Sequence, residues 1–242
     1  MADRTAIVTG TGRRVGAEIA RALLKDGWAV VAHVRRETDE VPPGAVKVVA
    51  DLAEVGCREA IFRGAAALPP VRLLVNNAAR FAFDAFGDFN VEEFDRHMAV
   101  NVRAPIMLIE ELAARHEAGD VLAINILDSK LEAPNPDFLS YTLSKEGLAA
   151  LTKLAAQALA SRGIRVNGIA PALMLRSNGQ TDENYRAMHA NNPLRRGVTP
   201  NDVIAAIRYL VAAEAVTGEV ITIDSGQRFM RLARDVQFLE GE

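Results

Sequence analysis

Cysteine is almost absent from this 242-residue sequence: Cys57 stands alone. An intrachain disulfide is therefore impossible, a cysteine-based zinc site is excluded, and a reducing, cytoplasmic setting is expected. The four histidines, at 33, 97, 116 and 189, are scattered and form no HExxH or HxxxH pair, so no metal site is expected. GxSxG is missing, which leaves hydrolase chemistry without its nucleophile turn. Charge of one sign is missing too: 28 Lys and Arg face 31 Asp and Glu, a net of -3, and a nucleic-acid partner is not expected. No apolar run approaches the ~18 residues of a membrane span. The apolar stretch after Met1-Ala2-Asp3-Arg4 is too short for a signal-peptide core, so a soluble protein with no membrane partner is expected.

What the chain does have is apolar substance, 50% of residues, enough for one sizeable core. Short β-branched runs at 5–9, 29–34, 46–49, 73–75, 121–126, 165–169 and 220–223 alternate with longer stretches of helical spacing, such as Val15, Ile19, Ala22, Leu23 and Leu148, Leu151, Ala155, Leu159. Strands apolar on both faces and separated by helices require a parallel sheet covered on both sides. The predicted fold is α/β: a doubly wound Rossmann-type sandwich with a seven-stranded parallel sheet and helices on both faces. Pro42-Pro43-Gly44 and Pro69-Pro70 each precede a strand and read as turns, so 1–242 is a single domain with a tail at 228–242.

The first strand runs into Thr9-Gly10-Thr11-Gly12-Arg13-Arg14-Val15-Gly16 and then a helix, where such folds present backbone N–H groups to a pyrophosphate. GxGxxG fails here because Val15 holds the third glycine position, and GxxxxGK[ST] fails because the chain has no Gly-Lys pair. After the second strand, where an acidic residue usually meets the ribose hydroxyls of NAD, the chain has His33-Val34-Arg35-Arg36. Cations there favour a 2′-phosphate, hence NADP(H).

Tyr141 and Lys145, four residues apart, share one helix face, and a cation near a phenol favours the phenolate. With TGxxxRxG, Asp51-Leu52, Asn76-Asn77-Ala78, Asn101 and Arg165-Val166-Asn167 before Pro171, this pair resembles the short-chain dehydrogenase/reductases from Thr5 to about Gly226. The resemblance implies an oxidoreductase in which Tyr141 protonates a small-molecule substrate, Lys145 holds the nicotinamide ribose and lowers the tyrosine pKa, and Asn101 supports a water in a proton relay. It implies an NADP(H) site built from Gly10, Arg13, Arg14, Val15, His33, Arg35 and Arg36. Asp51, Leu52, Asn77, Ala78, Ala79, Tyr141, Lys145, Pro171 and Leu173 complete that site.

Two departures are informative. The family's usual serine, thirteen residues before the tyrosine, is Asp128, and Arg14 replaces a middle glycine. Both resemble the pteridine reductase and dihydromonapterin reductase branch. That likeness implies a substrate site of Arg14, Phe81, Asp128, Tyr141 and Met174, with Phe81 stacking a pterin ring, Asp128 orienting or protonating it, and His33 and Arg36 facing the 2′-phosphate. Ala79 and Glu37 depart from that branch, the first losing a hydroxyl and the second threatening repulsion of the extra phosphate if it points inward.

Of the remaining residues, Phe83, Phe86 and Phe89 read equally as a core patch, and the pairs Glu92-Glu93 and Glu110-Glu111 as solvated faces. The polar segment 173–196, which includes Asn178-Gly179, reads as a substrate lid. The tail is expected to pack on a neighbouring subunit, and long helices at 91–115 and 141–162 to form the contact of a homodimer or homotetramer. An ordinary NADPH-dependent carbonyl or 3-oxoacyl reductase is the alternative activity, and a non-catalytic NADP(H)-sensing protein the alternative of another class.

Overall fold

The computed structural model of the chain describes residues 2–176 and 179–239. Asn178, within the expected lid, and 240–242 of the expected tail lie outside the described residues. Seven strands form one parallel sheet: β1 (Thr5–Val8), β2 (Ala29–Val34), β3 (Val46–Val49), β4 (Val71–Asn76), β5 (Val121–Ile126), β6 (Ile164–Pro171) and β7 (Val220–Ile223). Their order is β3-β2-β1-β4-β5-β6-β7, so the chain reverses direction between β3 and β4. A crevice opens above the carboxyl ends of β1 and β4, the place where such sheets bind ligands.

Alternation along the central strands explains the two-sided burial. Ile7, Leu74 and Ala123 point to one face, where α2 (Cys57–Arg63), α4 (Ala104–Ala114) and α5 (Leu139–Leu159) cover them. Ala6, Val8, Leu73, Val75, Leu122 and Ile124 point to the other, under α1 (Arg14–Lys25) and α7 (Pro200–Ala212). β5 and β6 are buried along their whole length, whereas the edge strands β3 and β7 are not. Arg165 and Asn167 hold the β6 side together. The Arg165 guanidinium grips Asp120 at 2.7 and 2.8 Å, and Asn167 bonds the Val216 carbonyl at 2.9 Å.

A buried polar chain ties α5 to the sheet. Asn76 donates to Asn125 at 2.8 Å, Asn125 to the Thr152 hydroxyl at 2.9 Å, and Thr152 to the Leu148 carbonyl at 2.9 Å. These three bonds fix the rotation of α5 about its axis, while the Asn76 side-chain oxygen at the head of the chain is buried without a partner.

The helix expected over 91–115 runs unbroken to Ala114 but changes pitch on the way. α3 (Val91–Met98) passes through a π turn at Ala99–Arg103 into α4. Pro105 supplies the reason: it lacks the N–H that would close the α-helical bond to the Asn101 carbonyl. The long helix over 141–162 fares better, since α5 runs to Leu159 and finishes in a short 3-10 turn at Ala160–Arg162. Among the described residues no helix is long and apolar enough to cross a membrane.

Candidate active site

A cleft of about 720 Å³ follows the carboxyl edge of the sheet. All of the cofactor and substrate residues expected from the sequence line it, from Gly10 and Arg13 at one end to Phe81, Asp128 and Met174 at the other. Asn101 alone among the expected site residues does not.

The glycine-rich turn is shaped by close approach. A Cβ on Gly16 would stand 2.1 Å from the Gly10 carbonyl oxygen, and Gly10 itself has φ +73° with Ala78 2.9 Å from its Cβ position. The Thr9 hydroxyl accepts from the N–H groups of Asn77 and Ala78, and the Asn77 amide returns a bond to the Thr9 carbonyl at 2.9 Å. The N-terminus of α1 has no side-chain cap and no acidic residue in its first turn. An uncapped helix start flanked by Arg13 and Arg14 is a fitting seat for a pyrophosphate. Arg14 occupies the left-handed region at φ 57°, a conformation glycine takes without strain, and its guanidinium donates to the Leu175 carbonyl at 3.2 Å.

His33 requires a correction. It lines the cleft, but its Nδ1 accepts from the Gly10 N–H at 3.2 Å and its Nε2 lies 3.0 Å from the Ala50 carbonyl. Both ring nitrogens are committed, and burial lowers the pKa, so the imidazole is a neutral brace for the turn rather than a cation for a phosphate. Arg35 and Arg36 are exposed on the cleft rim. Glu37 turns away to Lys47 at 3.4 Å and does not line the cleft, which removes the expected repulsion. Asp39, which the sequence reading missed, sits against Gly12 and accepts from the Arg36 N–H at 3.1 Å.

At the other end, α5 presents Tyr141 and Lys145, both buried. The Tyr141 hydroxyl donates to Asp128 at 2.8 Å, and Asp128 also accepts from the Lys130 N–H at 2.9 Å. Lys145 donates to the Ile126 carbonyl at 2.7 Å and stands 5.6 Å from the Tyr141 ring centre. The expected lowering of the tyrosine pKa is reversed. Burial, then the Asp128 carboxylate, raises it well above its ordinary value and keeps the phenol protonated. Burial raises Asp128 as well, and lowers Lys145 to about 8 with Asp128 opposing.

Asn101 acts from behind. Its amide donates to the Ser144 hydroxyl at 2.9 Å and the Arg80 carbonyl at 3.0 Å, and accepts from the Arg80 N–H at 2.7 Å. Arg80 in turn pairs with Glu93, so Glu93 is no solvated surface group; Glu92 remains one. The core-patch reading of the phenylalanines fails as well: Phe83, Phe86 and Phe89 are exposed, because they sit in an irregular loop rather than under a helix. Phe81 stacks on Phe138 at 4.4 Å with the rings 22° apart, and meets Tyr141 edge-on at 4.7 Å.

Two further participants escaped the sequence reading. Asp84, buried, accepts from the Ser140 N–H at 2.9 Å and from its hydroxyl, and so caps α5 one residue before Tyr141. The described part of the tail lies on the chain's own cleft, not away from it, with Asp235 3.4 Å from Lys130. The charge spacing at 228–239 carries no signal of that. The expected lid is anchored over the same space, Tyr185 of α6 (Asp182–His189) donating to the Met174 carbonyl at 2.9 Å. Among the described residues no cluster of metal ligands occurs.

A family profile described as "Enoyl-(Acyl carrier protein) reductase" matches residues 10–228, a span that holds Gly10 to Gly16 of the glycine-rich turn, the Tyr141/Lys145 pair and strands β2 to β7. The chain belongs to the short-chain dehydrogenase/reductase family. It is an oxidoreductase of that family. Carbonyl reductase [NADPH] 2 of Sus scrofa is 32% identical over 91% of this chain and 95% of its own. An L-xylulose reductase of Caenorhabditis elegans is 29% identical over 93% and 95%. Among solved structures, the FolM alternative dihydrofolate reductase 1 of Brucella suis, in complex with NADP, superposes with a TM-score of 0.88. It is 35% identical, covering 94% of this short-chain dehydrogenase/reductase and 96% of the other chain.

Proposed function

We propose that this chain is an NADPH-dependent reductase of a reduced pterin or folate-like ring. The observation that carries the reading is the Tyr141 hydroxyl bonded to Asp128 at 2.8 Å, in a cleft that also holds the Phe81 ring and the Arg14 guanidinium. A planar aminopyrimidine needs an aromatic face, an acceptor for its N–H groups and a cation near its carbonyl, and these three side chains offer them.

The uncapped start of α1 with Gly10, Arg13 and Arg14 fits the cofactor pyrophosphate, and Arg35 and Arg36 on the rim fit a 2′-phosphate. The NADP bound to the FolM neighbour and the NADPH in the porcine enzyme's name support this choice. The cofactor supplies a hydride when bound. The chain's own work is acid catalysis: Tyr141, kept protonated by burial and Asp128, delivers a proton to the substrate atom beside it. Lys145, cationic below about pH 8, stabilises the phenolate left behind. Asn101 positions Ser144 on the next turn of α5, and Pro105 leaves the Asn101 carbonyl free of an α-helical donor, able to hold a water that returns the proton.

The protein works in the cytoplasm, consistent with its single buried cysteine, and as a dimer or tetramer. Ile106 on α4 and Leu143 and Leu154 on α5 are exposed on the helices that would form the contact, and light scattering tests it. NADPH oxidation by the purified protein with dihydropterin, quinonoid dihydropterin, dihydrofolate and simple ketones tests the substrate, together with Asp128→Ser. Pterin turnover that Asp128→Ser shifts towards ketones supports the reading. Ketone turnover alone, unaltered by Asp128→Ser, favours carbonyl reduction, the reading that the porcine relative's name supports.

A further inference from the structure

The tail was expected to serve a neighbouring subunit, yet residues 232–238 run across the substrate end of the chain's own cleft, where Leu232, Arg234, Asp235 and Val236 form part of the wall. Three independent ties hold it there. The Arg234 guanidinium bonds Asp137 at 2.8 Å, and the Asp235 N–H donates to the same carboxylate at 2.8 Å. The Asp235 side chain reaches Lys130 at 3.4 Å, two residues past Asp128. The Phe238 ring stacks on Phe138 at 5.8 Å and 19° and meets Phe83 edge-on at 5.4 Å.

Apart from Phe83, these anchors lie on the two segments that carry the reacting groups. Asp137 and Phe138 immediately precede α5, Lys130 follows Asp128, and the far face of the Phe81–Phe138 stack borders Tyr141. The field of Asp235 reaches both Asp128 and Tyr141, raising each. A segment pinned to both sides of the substrate position limits what can extend past it. Its ties are of the kind that can open, since Arg234 and Phe238 are exposed on their outer sides.

We propose that residues 232–238 form a specificity-determining strap, contributed in cis, that admits compact substrates and disfavours those with long or bulky substituents. The proposal rests on the functional reading above and concerns the shape of substrate rather than its ring chemistry. A wall of this kind acts on kcat/KM ratios between substrates, because a clash at the periphery is felt in the transition state of one and not of the other.

The test uses the full chain and two substrate pairs that share a reacting group but differ in bulk: dihydropterin against dihydrofolate, and diacetyl against benzil. In the double variant Arg234→Ala/Phe238→Ala, the bulky-to-compact ratio of kcat/KM should rise by about tenfold, with the NADPH Kd within about twofold of the parent. An unchanged ratio with intact NADPH binding overturns the strap. Should the double variant fail to bind NADPH, Phe238→Leu alone decides: a ratio raised about threefold supports the strap and an unchanged one overturns it. Turnover of ketones but neither pterin refutes the pterin reading while the ketone pair still reads the strap. No turnover of either pair by the parent overturns the functional reading and the strap with it.

Discussion

The hydroxyl of Tyr141 donates to the carboxylate of Asp128 across 2.8 Å, and among the described residues that line the cleft Tyr141 is the one tyrosine. Removing that hydroxyl in Tyr141→Phe takes away the proton donor and leaves the ring contacts with Phe81. Turnover should fall by about 10² or more, the usual size of a general-acid contribution. NADPH titration should show nearly parental affinity. Turnover at the parental rate would place proton delivery on another group.

Lys145 gives the site a pH limit. Burial lowers its pKa to about 8, the Asp128 carboxylate opposing, so the ammonium that stabilises the Tyr141 phenolate is lost as pH rises through that value. The rate of reduction should decline above about pH 8. Lys145→Arg, whose guanidinium stays charged, should carry the limb to higher pH even with a lower plateau. A parental rate that stays flat between about pH 7 and pH 10 would exclude this role.

How far the sequence anticipates these features depends on whether a residue's role is set locally or across the chain. The seven strands are legible because burial on both faces leaves near-continuous apolar runs, and β2, β3, β5 and β7 begin and end where the runs do. Tyr141, Lys145 and Asp128 are legible by their spacing. His33 is misread because a basic residue beside two arginines looks like part of a phosphate site, while its actual partners, Gly10 and Ala50, stand 23 and 17 residues away in sequence. Asp84 and Asp235 are invisible for the same reason: their partners lie 56 and 105 residues away, and no periodicity encodes such pairings. The π turn within the 91–115 helix did have a local signal in Pro105, which the apolar spacing masked.

His33 predicts how stability varies with pH. Its pKa is lowered chiefly by burial from the ordinary 6.5, so the folded chain binds the proton less readily than the unfolded one. Its contribution is complete above about pH 6.5 and is lost as pH falls from there through the folded pKa, at up to about 1.4 kcal/mol per unit. The thermal midpoint should therefore drop between about pH 7 and pH 5.5. His33→Gln should lower the midpoint at neutral pH and flatten that dependence. An identical slope in the variant would assign the loss to other groups.

Asp84 provides the last test, because it joins stability to catalysis through one helix end. Phe138, the residue before α5, has φ 55° and cannot cap, so the Asp84 carboxylate does so from a loop, accepting from the Ser140 N–H at 2.9 Å and the Ser140 hydroxyl while its carbonyl accepts from the Leu139 N–H at 3.1 Å. Asp84→Ala leaves two buried donors without an acceptor and removes a negative group from the positive end of the helix dipole. That should cost about 1–3 kcal/mol, a fall of roughly 2–4 °C in Tm for each kcal/mol. Since Tyr141 is the next residue along, a frayed first turn also displaces the phenol from Asp128, and kcat should fall about tenfold while the NADPH Kd holds. Asp84→Asn, which keeps one acceptor oxygen, should recover part of both losses. A destabilised Asp84→Ala with parental kcat would restrict Asp84 to holding the fold and separate the helix cap from the placement of the proton donor.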